Sequence, residues 1–221
     1  MNFSFGEVNA AFAGGQVAQS IGWGDTGVIA ADPKQSKVNG NVGSAVLPSA
    51  NEVWNHKTGK WDKYDQILNT PFMAFGGWQA AVPKTSGKQA AAWDFISFLS
   101  SPEVSGKATV TGGTGVNPYR ISHTTNKKRW ASIFTERESN EYLSAQMNSV
   151  TADNVALDMR LPGYFSYTEI LEIELSKALA GDVTPKEALE TVAKEWDELT
   201  DSLGRDKQLA AYRASMGLPA K

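Results

Sequence analysis

Residues 71–120 constrain the fold more than any other stretch of this chain: PFMAFGGWQAAVPKTSGKQAAAWDFISFLSSPEVSGKATVTGGTGVNPYR. A short apolar run, Phe72 to Phe75, meets the glycine pair Gly76-Gly77, then Trp78. Ala80-Ala81-Val82 reads as a strand closed by Pro83, and a helix is predicted from Lys88 to Leu99, stopping at Ser100-Ser101-Pro102. Ala92, Phe95, Ile96 and Leu99 recur at helical spacing, and Trp93 and Phe98 widen the stripe, so this helix is expected to be buried on most of its circumference. A strand, a flexible glycine pair and an aromatic beside a linker suit a hinge next to a binding cleft.

The rest of the chain alternates helix and strand signals before turning helical. A short helix is predicted over 4–13, ended by Gly14-Gly15, and a strand over Gln16 to Gly22. Trp23-Gly24-Asp25-Thr26-Gly27 reads as a turn at that strand's end, where open α/β sheets bind ligands. A further strand is expected at Val42 to Leu47. Lys57-Thr58-Gly59-Lys60 reads as the tip of a hairpin or loop, and its flanking Trp54 and Trp61 read as packed on each other in preference to a second aromatic binding site. Val104 to Arg120 reads as an extended connector. Helices are predicted at Glu138 to Asn148, at Tyr164 to Leu179 ending at Gly181, and after Thr184. There Thr184 as N-cap, Pro185 at N1 and Glu187 at N3 form a capping box, followed by Leu189, Val192, Ala193, Trp196, Leu199 and Leu203 at helical spacing up to Gly204. The tail adds an amphipathic turn or two.

Composition removes several function classes. A net charge of -3 is no footprint for nucleic acid, and Lys127-Lys128-Arg129 reads as a solvated loop. Without cysteine there is no disulfide, thiol catalysis or Cys-bound zinc. No stretch is long and apolar enough to cross a membrane. The two histidines, His56 and His123, fall in polar loops and read as solvated. Gly-x-Ser-x-Gly, His-Glu-x-x-His and aspartate-rich metal loops are absent, so neither a catalytic residue nor a cofactor or metal is predicted. Glu169 and Glu172 lie one helical turn apart, as on an exposed face. Gly112-Gly113-Thr114-Gly115 lacks the lysine of a phosphate loop. The aromatics are more suggestive. Trp23 and Trp78 sit beside glycines, and Tyr164 follows Arg160-Leu161-Pro162-Gly163. A sugar's C–H face stacks on such rings, and its hydroxyls need partners such as Asp25, Asn117 and Arg160.

These pieces, in their order and spacing, resemble the extracellular solute-binding proteins of ABC importers, family 1, the sugar-binding group related to maltose-binding protein. The resemblance runs through Phe12-Ala13-Gly14-Gly15-Gln16-Val17-Ala18, Trp23-Gly24-Asp25-Thr26-Gly27, Asp32-Pro33-Lys34-Gln35-Ser36-Lys37-Val38 and Gly43-Ser44-Ala45-Val46-Leu47-Pro48. It continues through Phe75-Gly76-Gly77-Trp78, Ala91 to Ile96, Leu99 to Glu103, Arg160 to Tyr164 and Ala178 to Gly181. It implies an α/β fold of the periplasmic-binding-protein type II class. The chain would supply the C-terminal lobe with a strand–helix segment of the N-terminal lobe, and a mostly helical C-terminal half. Residues 1–72 would be the first part of the C-terminal lobe, 73–108 the N-terminal-lobe segment after the hinge, and 109–221 the helical part of the C-terminal lobe.

The resemblance implies a carbohydrate ligand clamped between lobes, ABC permease subunits as partners, and a periplasmic or extracellular location at the membrane through the transporter. Trp23, Asp25, Gly77, Trp78, Asn117, Arg160 and Tyr164 would be the ligand-binding residues, with Trp78 stacking on the sugar. No signal peptide is read at the start, and family members are about twice as long, so an N-terminally truncated chain is expected. Residues 73–108 would then lose sheet partners and pack on another copy, reposition, or order poorly. Two other readings stay open: a carbohydrate-active hydrolase using paired carboxylates, and a free-standing carbohydrate-binding module.

Overall fold

The computed structural model describes residues 4–55, 57–68, 70–73, 77–153 and 155–219. The sequence readings at His56, Ala74, Phe75 and Gly76 lie outside the described residues. The described residues are about half helical with two small sheets, a mixture that fits an α/β fold. It divides into two compact units at Ala156/Leu157.

In the first unit, α1 (Phe5–Ala13) starts where predicted because Ser4 and Glu7 form a capping box. α2 (Asp25–Ala30) occupies the stretch expected to be a turn: Gly24 precedes it, and Asp25, Thr26, Val28 and Ala30 are buried. Thr26 Oγ1 donates to Asn9 Oδ1 at 2.8 Å, tying α2 to α1 inside the protein. Of the two readings of the 57–60 tip, hairpin or loop, the hairpin forms. β1 (Ala50–Asn55) pairs antiparallel with β2 (Lys60–Leu68), Trp54 opposite Trp61, their rings edge-on at 5.6 Å. β3 (Phe72–Met73) and β4 (Ala156–Leu157) are two residues each, and Ala156 N–H donates to Pro71 O at 2.9 Å.

Three predicted strands do not form. Residues 16–22, 42–47 and 80–82 are irregular. Their alternation is short, no ladder partner lies alongside among the described residues, and Ile21 is 78% exposed. α3 (Gln89–Leu99) forms as predicted, but none of its residues is buried, so the expectation of a buried helix is overturned. Only Ala92, Ile96 and Ser100, one turn apart, are shielded in part.

The expected connector from Val104 begins inside α4 (Pro102–Ala108), started by Ser101, whose hydroxyl accepts from Val104 N–H, and by Pro102 at N1. Two further short helices replace predicted loops, α5 (Ile121–Thr125) and α6 (Lys127–Trp130). His123 on α5 is fully buried rather than solvated, and Trp130 Nε1 donates to its carbonyl at 2.6 Å. α7 (Glu136–Val150) is capped by Thr135 and Glu138. Glu138 also accepts from Val42 N–H at 3.2 Å, which fixes the irregular 42–47 segment to α7. The core gathers Val28, Ala31, Trp130, Phe134 and Tyr142.

The second unit contains α8 (Tyr164–Ala180), α9 (Pro185–Leu203) and α10 (Arg205–Ser215). The Thr184–Glu187 capping box is present, and Gly181 ends α8, as the sequence predicts. α9 is turned slightly from its predicted face: Ala188 and Val192 are buried, whereas Leu189 is 55% exposed. Tyr167 is the anchor. Its ring meets Trp196 edge-on at 5.8 Å, its hydroxyl pairs with Thr200 Oγ1 at 2.7 Å, and its carbonyl accepts from Trp196 Nε1. Glu169 and Glu172 are exposed, as read.

Candidate functional site

In the first unit a cavity of about 160 Å³ opens beside the start of α2. α1 supplies Phe12, the irregular 20–24 segment Ser20 and Trp23, the 42–45 segment Val42 and Ser44, and α7 Tyr142 and Gln146. The sequence brings these segments together through the bonds already described, α1 to α2 through Asn9 and Thr26, and 42–47 to α7 through Glu138.

Gly24 is the pivot. A Cβ there would lie 2.7 Å from Tyr142 Oη and 2.8 Å from Asn117 Oδ1, and would collide with the Gln146 amide. Only a residue without a side chain lets these three polar groups converge. Ser20 Oγ, Trp23 Nε1, Asn117 Oδ1 and Tyr142 Oη are all buried without a hydrogen-bond partner among the described residues. Ser20, Trp23 and Tyr142 line the cavity, and Asn117 meets it only at Gly24; buried polar atoms normally have partners, so their gathering here is informative. All four belong to neutral side chains. Burial, and secondarily the Asp25 charge, hold the Tyr142 phenol well above the usual tyrosine range, so it remains a donor.

Of the sequence-predicted residues, Trp23 lines the cavity, while Asn117 lies against Gly24 and Asp25 follows Gly24 at the start of α2. Trp23 lies against Phe5, ring centroids 4.6 Å apart, so it is packed rather than isolated between its glycines. Asp25 is buried, and its carboxylate accepts from the N–H groups of Gly113, at 3.1 Å, and Gly115. Burial pushes its pKa up, and the two amides only partly offset this. Asp25 thereby anchors the 112–115 segment read earlier as a connector.

Gly77 and Trp78 do not line the cavity. Gly77 has a φ of 90° with open space around it, and Trp78 is 83% exposed. Arg160 and Tyr164 belong to the second unit. Arg160 is exposed, and Tyr164 sits half-buried at the first position of α8. Tyr142, Gln146 and Ser20 escaped the sequence reading. Tyr142 and Gln146 are four apart on a correctly predicted helix, hence on one face, and an aromatic with a polar tip on such a face was the available signal.

A buried Ser105–His123 pair, 3.0 Å apart, bears on catalysis. Ser105 Oγ donates to Ser101 O at 2.6 Å, and His123 Nδ1 accepts from Tyr119 N–H at 3.4 Å. The imidazole proton therefore sits on Nε2 facing Ser105, the opposite of what a base activating that hydroxyl requires. Among the described residues no cluster of three or more His, Cys, Asp or Glu could hold a metal, and no helix is long and apolar enough to cross a membrane.

Residues 1–105 match the family model for bacterial extracellular solute-binding protein. The matched stretch takes in Trp23, Asp25, Gly77 and Trp78, and it ends before Asn117, Tyr142, Arg160 and Tyr164. The match supports a solute-binding role in ABC import, with the small-molecule ligand, the permease partners and the periplasmic or extracellular location that such a role implies. The family is generally non-enzymatic.

Proposed function

We propose that this chain is the carbohydrate-binding component of an ABC importer, taking a sugar or polyol and delivering it to the permease subunits from the periplasmic or extracellular side. The mechanism is binding and lobe closure without bond chemistry, ligand favouring the closed state by its greater affinity for it. In this reading the type II lobes follow the sequence assignment: 1–72 and 109–221 in one lobe, 73–108 in the other. Trp23, Asp25, Gly77, Trp78, Asn117, Arg160 and Tyr164 are its ligand residues. The apolar residues of α3 within 73–108 give a second copy of the chain a surface to cover.

The observation that carries the reading is the cavity beside Trp23, with neutral hydrogen-bonding atoms around it and a paired aromatic surface at Phe5 and Trp23. Sugars present C–H faces to rings and hydroxyls to neutral polar groups. The test is isothermal titration with maltose, glucose and sorbitol. Saturable heat from at least one of them, weakened about tenfold or more by Trp23→Ala, is the expected result. A flat trace with all three rejects the carbohydrate assignment.

A further inference from the structure

The ring of Tyr142 and its hydroxyl occupy different environments. The ring is held in the core, 5.2 Å from both Trp130 and Phe134, and the residue is only 3% exposed. The hydroxyl emerges at Gly24, where the cavity lies, with no partner among the described residues. Packing therefore fixes the position of a donor that the protein itself leaves unused. Pre-placed groups of this kind bind well because no rotamer freedom is lost on binding.

The neighbouring atoms restrict what can meet that hydroxyl. Trp23 Nε1 only donates, Asn117 Oδ1 only accepts, and Tyr142 Oη and Ser20 Oγ do both. An alcohol hydroxyl suits this mixture, since it can accept from the indole and donate to the amide oxygen. A carboxylate or phosphate would face the Asn117 oxygen and the nearby Asp25 charge, whose repulsion already acts on Tyr142. An ammonium cannot accept from the indole. The cavity, at about 160 Å³, is smaller than the ~300–1,000 Å³ of a whole small-molecule site, so it takes one part of a ligand.

We propose that this cavity is a subsite for an uncharged hydroxyl-bearing group of the bound solute, and that Tyr142 on α7 is the residue that reads it. The inference rests on the carbohydrate reading above and adds Tyr142 to the ligand contacts.

The test is Tyr142→Phe in the full chain, with two readouts: titration with maltose, glucose and sorbitol, and thermal unfolding without ligand. The substitution keeps the ring and removes only an unpaired hydroxyl, so the ligand-free unfolding temperature should stay the same or rise. Binding of whichever probe the wild type takes should weaken about tenfold, because the ligand's hydroxyl loses its partner in a buried site. Equal affinity in the variant overturns this inference and leaves the carbohydrate reading in place. A lower unfolding temperature alongside weaker binding also overturns it, since the hydroxyl then serves the fold. Failure of the wild type to bind any probe overturns the carbohydrate reading and this inference with it.

Discussion

At the scale of single residues, position in the fold has decided roles that residue type alone left open. His123 was read as a solvated loop residue and is instead sealed between Ser105, Tyr119 and Trp130. Burial, and then the charges of Arg129 and Arg120, depress its pKa below the usual value. As pH falls, the unfolded chain takes up a proton near pH 6.5 while the folded chain resists it. Stability is therefore full above about pH 6.5 and declines below it. Denaturation midpoints measured from pH 7.5 down to 5.5 should fall for the wild type and fall less for His123→Gln. A flat wild-type profile would remove the argument. Asp25 gains a role that residue type alone did not show: its carboxylate holds the 112–115 segment through the amides of Gly113 and Gly115.

At the scale of elements, legibility followed locality. The N-terminal half of α9 is specified by four consecutive residues, and the Thr184–Glu187 box forms as the sequence requires, with Glu187 N–H donating to Thr184 Oγ1 at 3.2 Å. Thr184→Ala should destabilise the second unit by about 1 kcal/mol, and Thr184→Ser far less, as read by urea denaturation followed at Trp196. Helices α1, α3, α7 and α8 were equally legible, because caps and periodicity lie within each segment. The strands expected at 16–22, 42–47 and 80–82 were not, since a strand exists only through a partner that its own sequence does not name. The candidate site sits on the same divide. Trp23 and Asn117 could be picked out beside glycines and turns. Tyr142 could not be assigned, because its hydroxyl acquires meaning only from Gly24, far away in the chain. The Asp25–Gly113 bond, between residues 88 positions apart, was hidden for the same reason.

At the scale of the molecule, α3 is the unusual component. Trp93, Phe95 and Phe98 are each more than half exposed. Aromatic side chains carry about 150–250 Å² each, so the three present roughly 270–450 Å², well under the ~800 Å² per partner of a standard interface. An association built on this helix is therefore weak and governed by concentration. Sedimentation velocity should show reversible association that grows with loading concentration, and the double change Phe95→Ser with Phe98→Ser should reduce it. A single species at every concentration would show that α3 does not bring copies together.

The β1–β2 ribbon leads to a different consequence. It has two strands, and most of its residues face water. A lone hairpin is marginal in water, and regions with few buried apolar contacts open well below the global unfolding free energy. Its ladder amides should therefore trade protons for deuterons through local opening, while those of α7, rooted on Tyr142 beside Trp130, wait for the first unit to unfold. The Trp54–Trp61 pair then acts as a clasp on a flap that can lift without disturbing the cavity wall formed by α7.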